Sequence, residues 1–154
     1  MLNNKTIDKR LCFNEKINNM AKENPERNKE VVIRFNKEVI EQGNPDTFKE
    51  LIDDDFINRT APVTANGADG MWNTFSNILR PAFPDLKVEI YEQIAEDDKV
   101  VTRKAIVGTH KGKLFDILPT GQSVKIDVID IVRIKDGKYI EHWGINTLQR
   151  YYQN

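Results

Sequence analysis

From Val124 to Ile134 the chain alternates with period two, so that Ile126, Val128, Asp130, Val132 and Ile134 share one face of a strand while Lys125, Asp127 and Arg133 fall on the other. Such a strand needs a sheet with one covered and one solvated face, which limits the fold to a few layered arrangements. Asp130 sits on the face whose neighbours seek burial. Removing an ionised carboxylate from water costs several kcal/mol unless it is paired or hydrogen-bonded, so this side chain needs a partner, a pocket or a task.

The elements before this strand have a different period. Val31, Val32, Phe35, Val39 and Ile40 recur at three to four residues and stop at Gly43, which predicts an amphipathic helix with a glycine at its C-terminus. Asn44-Pro45-Asp46 opens a second helix with Phe48, Leu51 and Ile52 inward, and Asp53-Asp54-Asp55 reads as its solvated end. Phe56 to Pro62 reads as extended and Val63 to Gly70 as a loop. Met71, Phe75, Ile78 and Leu79 mark a third helix ending near Pro81 to Pro84. The period then shortens to two through Leu86, Val88 and Ile90; Glu96 to Lys99 turns into a strand over 100–109, and Asp136-Gly137 is a hairpin signal leading to a last strand from Tyr139 to Asn146. Helices first and antiparallel strands afterwards predict an α+β domain with its helices on one face of a curved sheet.

The 154 residues fit one domain, expected over 28–154, with 1–27 as an N-terminal extension in which Leu11, Phe13, Ile17 and Met20 suggest a short helix near 8–22. The 23 basic and 24 acidic side chains are intermixed, so no basic stripe is available for a phosphate backbone and nucleic acid is not an expected partner. No apolar window approaches a membrane span, residues 1–27 lack the apolar run of a signal peptide, and Cys12 is the single cysteine. A cytoplasmic protein is expected.

Six short motifs then occur in order: Ala82-Phe83-Pro84-Asp85-Leu86, Asp98-Lys99-Val100-Val101-Thr102-Arg103, Gly108-Thr109-His110-Lys111-Gly112, Pro119-Thr120-Gly121, Asp130-Ile131-Val132-Arg133, and Asp136-Gly137-Lys138-Tyr139-Ile140-Glu141-His142-Trp143. In register and spacing this set, from about Asn28 to Tyr152, resembles the SnoaL-like polyketide cyclases, whose members are often labelled ester cyclases. The resemblance implies an NTF2-like cone, in which helices and a strongly curved, mostly antiparallel sheet enclose one pocket, commonly in a homodimer. It also implies an aspartate and a histidine supporting intramolecular aldol closure of an aromatic polyketide ester, without metal or cofactor. Carried over residue by residue, the histidine is His110 and the aspartate Asp130, with Asp127 as its rival. Where many relatives carry His and Asp, this chain has Asn58 and Asn146, which do not titrate.

The chemistry would begin with removal of a proton from carbon flanked by carbonyls, leaving an enolate that spreads charge into the substrate. An aspartate raised by desolvation would serve as the base. His110 would hold the oxyanion, an interaction worth roughly 3 kcal/mol per preorganised donor. Trp143, Phe115 and Trp72 are candidate walls for a small apolar or aromatic carbonyl ligand, and Arg103, Asn58 and Asn146 are candidate polar contacts. Plainer roles stand beside these: Asp130 as a structural carboxylate bonded to Arg103 or to backbone amides, His110 as a loop cap, Arg103 as an exposed charge, and both tryptophans as core. Glu141 and His142 face opposite ways, and the pattern does not say which is inside. Only His110 and His142 are available as imidazole ligands, in no metal-ligand spacing.

Three functions follow as expectations: a cofactor-free acid/base enzyme of the polyketide cyclase kind, a ligand-binding protein that keeps the pocket without the chemistry, or an epoxide hydrolase or isomerase in which Arg103 and Asp130 supply two of three required side chains.

Overall fold

Asn24 and Asn44 explain where the first two helices begin. Each side-chain oxygen accepts a backbone N–H of the first turn, and each is followed by proline, whose missing N–H costs nothing there. Residues 24–151 are described in a computed structural model, so the helix expected near 8–22 lies outside the described residues. Helix α1 (Pro25–Arg34) passes directly into a π-helical stretch, Phe35–Glu41, and ends where Gly43 adopts a left-handed φ of 68°. Its start at Pro25 places residues 25–27 inside the helix rather than in the expected extension.

Helix α2 (Pro45–Leu51) stops one residue earlier than the acidic run suggested. Asp53, Asp54 and Asp55 belong instead to strand β1 (Ile52–Asn58), which buries Ile52 and Phe56 and leaves the carboxylates toward solvent at the sheet edge. The charge run masked the strand because its two buried anchors lie four residues apart, with a register irregularity between Ile52 and Ile57. After a short 3₁₀ turn, Val63–Ala65, helix α3 (Ala68–Asn73) continues through π-helical Thr74–Leu79 into the single turn Arg80–Ala82.

Four strands follow: β2 (Lys87–Glu96), β3 (Lys99–Thr109), β4 (Ser123–Lys135) and β5 (Lys138–Asn146). They form a five-stranded sheet in the order β1-β5-β4-β3-β2, antiparallel except for the β1–β5 pair. The expected turns form, with Asp97 left-handed at the β2–β3 turn and Asp136-Gly137 left-handed at both positions of the β4–β5 hairpin.

All three helices cover one face of the sheet. Val32, Phe35, Val39 and Ile40 of the first helical segment pack with Val100, Ile106, Val132 and Ile134 of the strands in one buried cluster. Phe35 stacks on Tyr139 with ring centroids 4.4 Å apart. The architecture is the α+β arrangement expected, with an open mixed sheet and no closed barrel. Among the described residues no helix is long and apolar enough to cross a membrane.

Candidate functional site

Asp130 occupies the middle of β4, opposite Thr102 of β3 on one side and Gly144 of β5 on the other. The alternation holds: Ile126, Asp130, Val132 and Ile134 are buried on the inner face, and Asp130 is only 4% exposed. Two residues past Thr102, on the same face of β3, Lys104 is also buried, and its Nζ lies 2.7 Å from Asp130 Oδ2. Nζ donates in addition to Asn36 Oδ1 at 2.7 Å, and Asn36 Nδ2 donates to the carbonyl of Val32 at 2.8 Å. The π-helical stretch thus presents a buried amide that holds the lysine from the helix side. Asp130 Oδ1, by contrast, is buried with no hydrogen-bond partner.

His142 completes the cluster from β5. Its Nδ1 is 3.0 Å from Asn58 Oδ1, which also accepts from the backbone N–H and the hydroxyl of Thr60. An amide oxygen can only accept, so this bond places a proton on Nδ1 and leaves Nε2 facing Asp130. Nε2 stands 3.8 Å from Asp130 Oδ2, a charge-pair separation rather than a hydrogen bond.

Burial alone would raise the Asp130 carboxyl, but the Lys104 ammonium, with the neighbouring His142 ring, outweighs it and holds the group below the ordinary carboxylate range. The upward shift expected from the sequence is therefore reversed, because the strand that buries the acid also delivers a cation to it. Burial, and after it the negative charge of Asp130, lifts the Tyr139 hydroxyl well above the usual phenol range.

Lys104, Asp130 and His142 line a cavity of about 470 Å³ between the inner sheet face and the helices. Ile40, Met71, Phe75, Leu79 and Ile106 give it apolar walls, and Asn58, Asn146 and Gln149 add polar groups. A wider and more open cleft of about 830 Å³ lies between α2, β1 and residues 63–70, but its ionisable side chains, Lys49, Asp53, Asp54 and Asp69, are not buried. Volume alone favours the cleft; desolvated charge favours the inner cavity, and charge is what acid/base chemistry needs.

Other residues singled out from the sequence lie elsewhere. His110 is buried beyond the end of β3, with Nδ1 3.2 Å from Thr120 Oγ1, its ring 5.8 Å from that of Phe83, and Nε2 without a partner. It does not line the cavity, and the imidazole beside Asp130 is His142. Arg103 is exposed on the outer face, 3.2 Å from Glu92 and over the ring of Tyr91, so it pairs with neither Asp130 nor the cavity. Asp127 is exposed on that same face. Trp143 lies opposite Ile131 on the outer side, Trp72 packs on Phe48 at 5.0 Å beside the open cleft, and Phe115 is an exposed residue of the β3–β4 connection. Asn58 and Asn146 do line the cavity. Glu141 points outward to Arg59 and Arg133, which answers which member of the Glu141-His142 pair is inside.

Lys104 was missed because β3 carries aliphatic side chains at both parities: Val101, Ala105 and Val107 on one, Val100 and Ile106 on the other. The available signal was register. A strand hydrogen-bonded beside Asp130 and buried at Val100 must also bury Lys104. Among the described residues no three His, Cys, Asp or Glu side chains gather as metal ligands would.

Residues 30–153 match the family model described as SnoaL-like polyketide cyclase. Solved structures share the fold. A protein of Acidithiobacillus ferrooxidans assigned as a polyketide cyclase is 25% identical, with 82% of this chain and 92% of that one covered and a TM-score of 0.70. One from Jannaschia sp. CCS1, assigned as a SnoaL-like polyketide cyclase, is 24% identical with 82% and 90% covered and a TM-score of 0.70. AclR of Streptomyces galilaeus, assigned as a hydroxylase, is 23% identical with 82% and 78% covered and a TM-score of 0.71. No curated protein matches this chain.

Proposed function

The chain belongs to the SnoaL-like polyketide cyclase family, and from that premise we propose that its inner cavity is the site of a cofactor-free acid/base enzyme acting on a small apolar carbonyl compound by proton transfer of the aldol type. One observation carries this reading: a buried carboxylate with one oxygen held by an ammonium and the other unpartnered, in a cavity lined mainly by apolar side chains. Asp130 Oδ1 accepts the proton, while His142, oriented by Asn58, is the second group able to take up and return one. Of the residues put forward from the sequence, Asp130 keeps its role, and His142 rather than His110 supplies the imidazole.

The epoxide-opening alternative loses support, since Arg103 and Asp130 face opposite sides of the sheet. A ligand-binding protein without turnover is the second reading, since a buried ion pair such as Lys104–Asp130 also serves structure alone. The test is turnover of an aromatic β-keto ester by wild type, Asp130→Asn and His142→Gln. On the enzyme reading Asp130→Asn retains ligand binding and loses about a hundredfold or more in rate. Ligand binding with no turnover in wild type assigns the non-catalytic role instead.

We also propose a homodimer through the outer face of the sheet. Ile94, Ile129, Ile131 and Ile145 are exposed there; the pairing row Val101–Ile131–Trp143 is apolar across three strands, and the neighbouring pair Ile129–Ile145 extends it over two. A cytoplasmic location remains part of this proposal.

A further inference from the structure

Lys104 is the single lysine or arginine among the residues lining the inner cavity. An ammonium has three N–H donors in tetrahedral array. Two are committed, to Asn36 Oδ1 and Asp130 Oδ2, each at 2.7 Å. The third has no partner among the hydrogen bonds of the described residues, on a side chain that borders the cavity. Next to it, Asp130 offers Oδ1, a buried acceptor equally without a partner. A charged donor and an anionic acceptor, joined through one carboxylate, therefore flank the same space.

We propose that Lys104 is the oxyanion-holding residue of this cavity, with one carbonyl oxygen of the substrate on its ammonium and the C–H between the carbonyls directed at Asp130 Oδ1. This rests on the acid/base reading of the site and specifies it. In the step, the C–H bond breaks, its proton goes to Oδ1, and its electron pair moves through the new C=C bond onto the carbonyl oxygen facing Lys104. The total charge of the site is unchanged, the negative charge passing from carboxylate to enolate while the ammonium stays within reach of both. Two features bear on this step. A carboxylate stabilised by a cation is a weak base, so it needs carbon made acidic by two flanking carbonyls rather than one. The other side chains able to donate into the cavity, among them Thr60, Asn146 and Gln149, are neutral, so the charge-assisted hold on the oxyanion falls to Lys104. His142 Nε2, 3.8 Å from the Lys104-bound oxygen, lies beside the cation rather than in its place.

The test uses benzoylacetone as an enolate probe, followed by its ultraviolet absorbance, with the full-length protein. In Asp130→Asn the lysine keeps its charge but loses the competing anion, so the bound probe ionises at lower pH than free in solution and binds more tightly than to wild type. In Asp130→Asn/Lys104→Met, which removes both charges and leaves no buried ion unpaired, the enolate band is lost and affinity for the anionic probe falls at least tenfold below that of the single variant. Equal enolate binding by the single and double variants, with both folded by circular dichroism, overturns the assignment of Lys104. Absence of an enolate band in Asp130→Asn overturns it equally. Neither result depends on turnover, so failure of the acid/base reading, seen as unchanged turnover in Asp130→Asn, is separately visible.

Discussion

Gly144 lies directly beneath the imidazole of His142: a Cβ built on Gly144 would stand 2.9 Å from His142 Cε1 and 3.1 Å from Nε2. The same Cβ would meet that of Asp130 at 3.5 Å, an ordinary contact. The absence of a side chain at one position of β5 is thus what lets the ring two residues earlier sit beside the carboxylate.

Gly144→Ala is accordingly expected to displace the far end of His142 and little else. The ring can rotate away, so stability should change by no more than about 1 kcal/mol, within the ordinary range for a single substitution. Turnover of a β-keto ester should fall at least tenfold, about 1.4 kcal/mol of barrier. Denaturant melts alongside kcat and KM check this; an unaltered kcat would mean that His142 has no part in the chemistry.

Lys104→Met should be the most damaging single change in the cluster. It leaves Asp130 buried beside an apolar side chain, and breaking a buried pair from one side costs about 3–5 kcal/mol. Adding Asp130→Asn should restore much of that loss, because the second change removes the stranded charge. Urea unfolding of the two single variants and the double variant measures the coupling.

Acid stability should carry the mark of Asp130. Its carboxyl titrates lower in the folded chain than in the unfolded one, so its contribution is fully present above the unfolded carboxylate range, near about pH 4, and is lost as pH falls through the depressed folded value. Stability of the wild type should therefore drop more steeply below about pH 4 than that of Asp130→Asn/Lys104→Met. Parallel acid limbs would contradict an ionised, cation-held Asp130.

Ile131→Asp tests the outer face. Ile131 sits on the surface of the middle strand, between Val101 and Trp143, and does not line the inner cavity. Wild type should sediment as a dimer and the variant as a monomer with an unaltered circular dichroism spectrum. A monomeric wild type at micromolar concentration would remove the dimer proposal.

The α+β order, the three helices, the left-handed turns at Gly43 and Asp136-Gly137, and the inward aspartate of β4 were all legible in the chain, because each follows from local period or from a residue's backbone preference. Strand β1 was only half legible: three consecutive carboxylates resemble a helix end until the neighbouring β5 gives them an edge to occupy. The candidate site divides along the same line. Period two marks Asp130 as buried, but what it touches depends on which strands lie beside β4 and in what register. The choice of Lys104 over Arg103, and of His142 over Glu141, turns on single-residue parity between side chains 26 and 12 positions from Asp130. A one-residue slip would exchange every one of those side chains between core and solvent. Sequence alone thus determined that an acid would be buried; only the assembled sheet decided that a lysine would meet it and keep it ionised, since charge pairing depends on distance in space and the local pattern carries none.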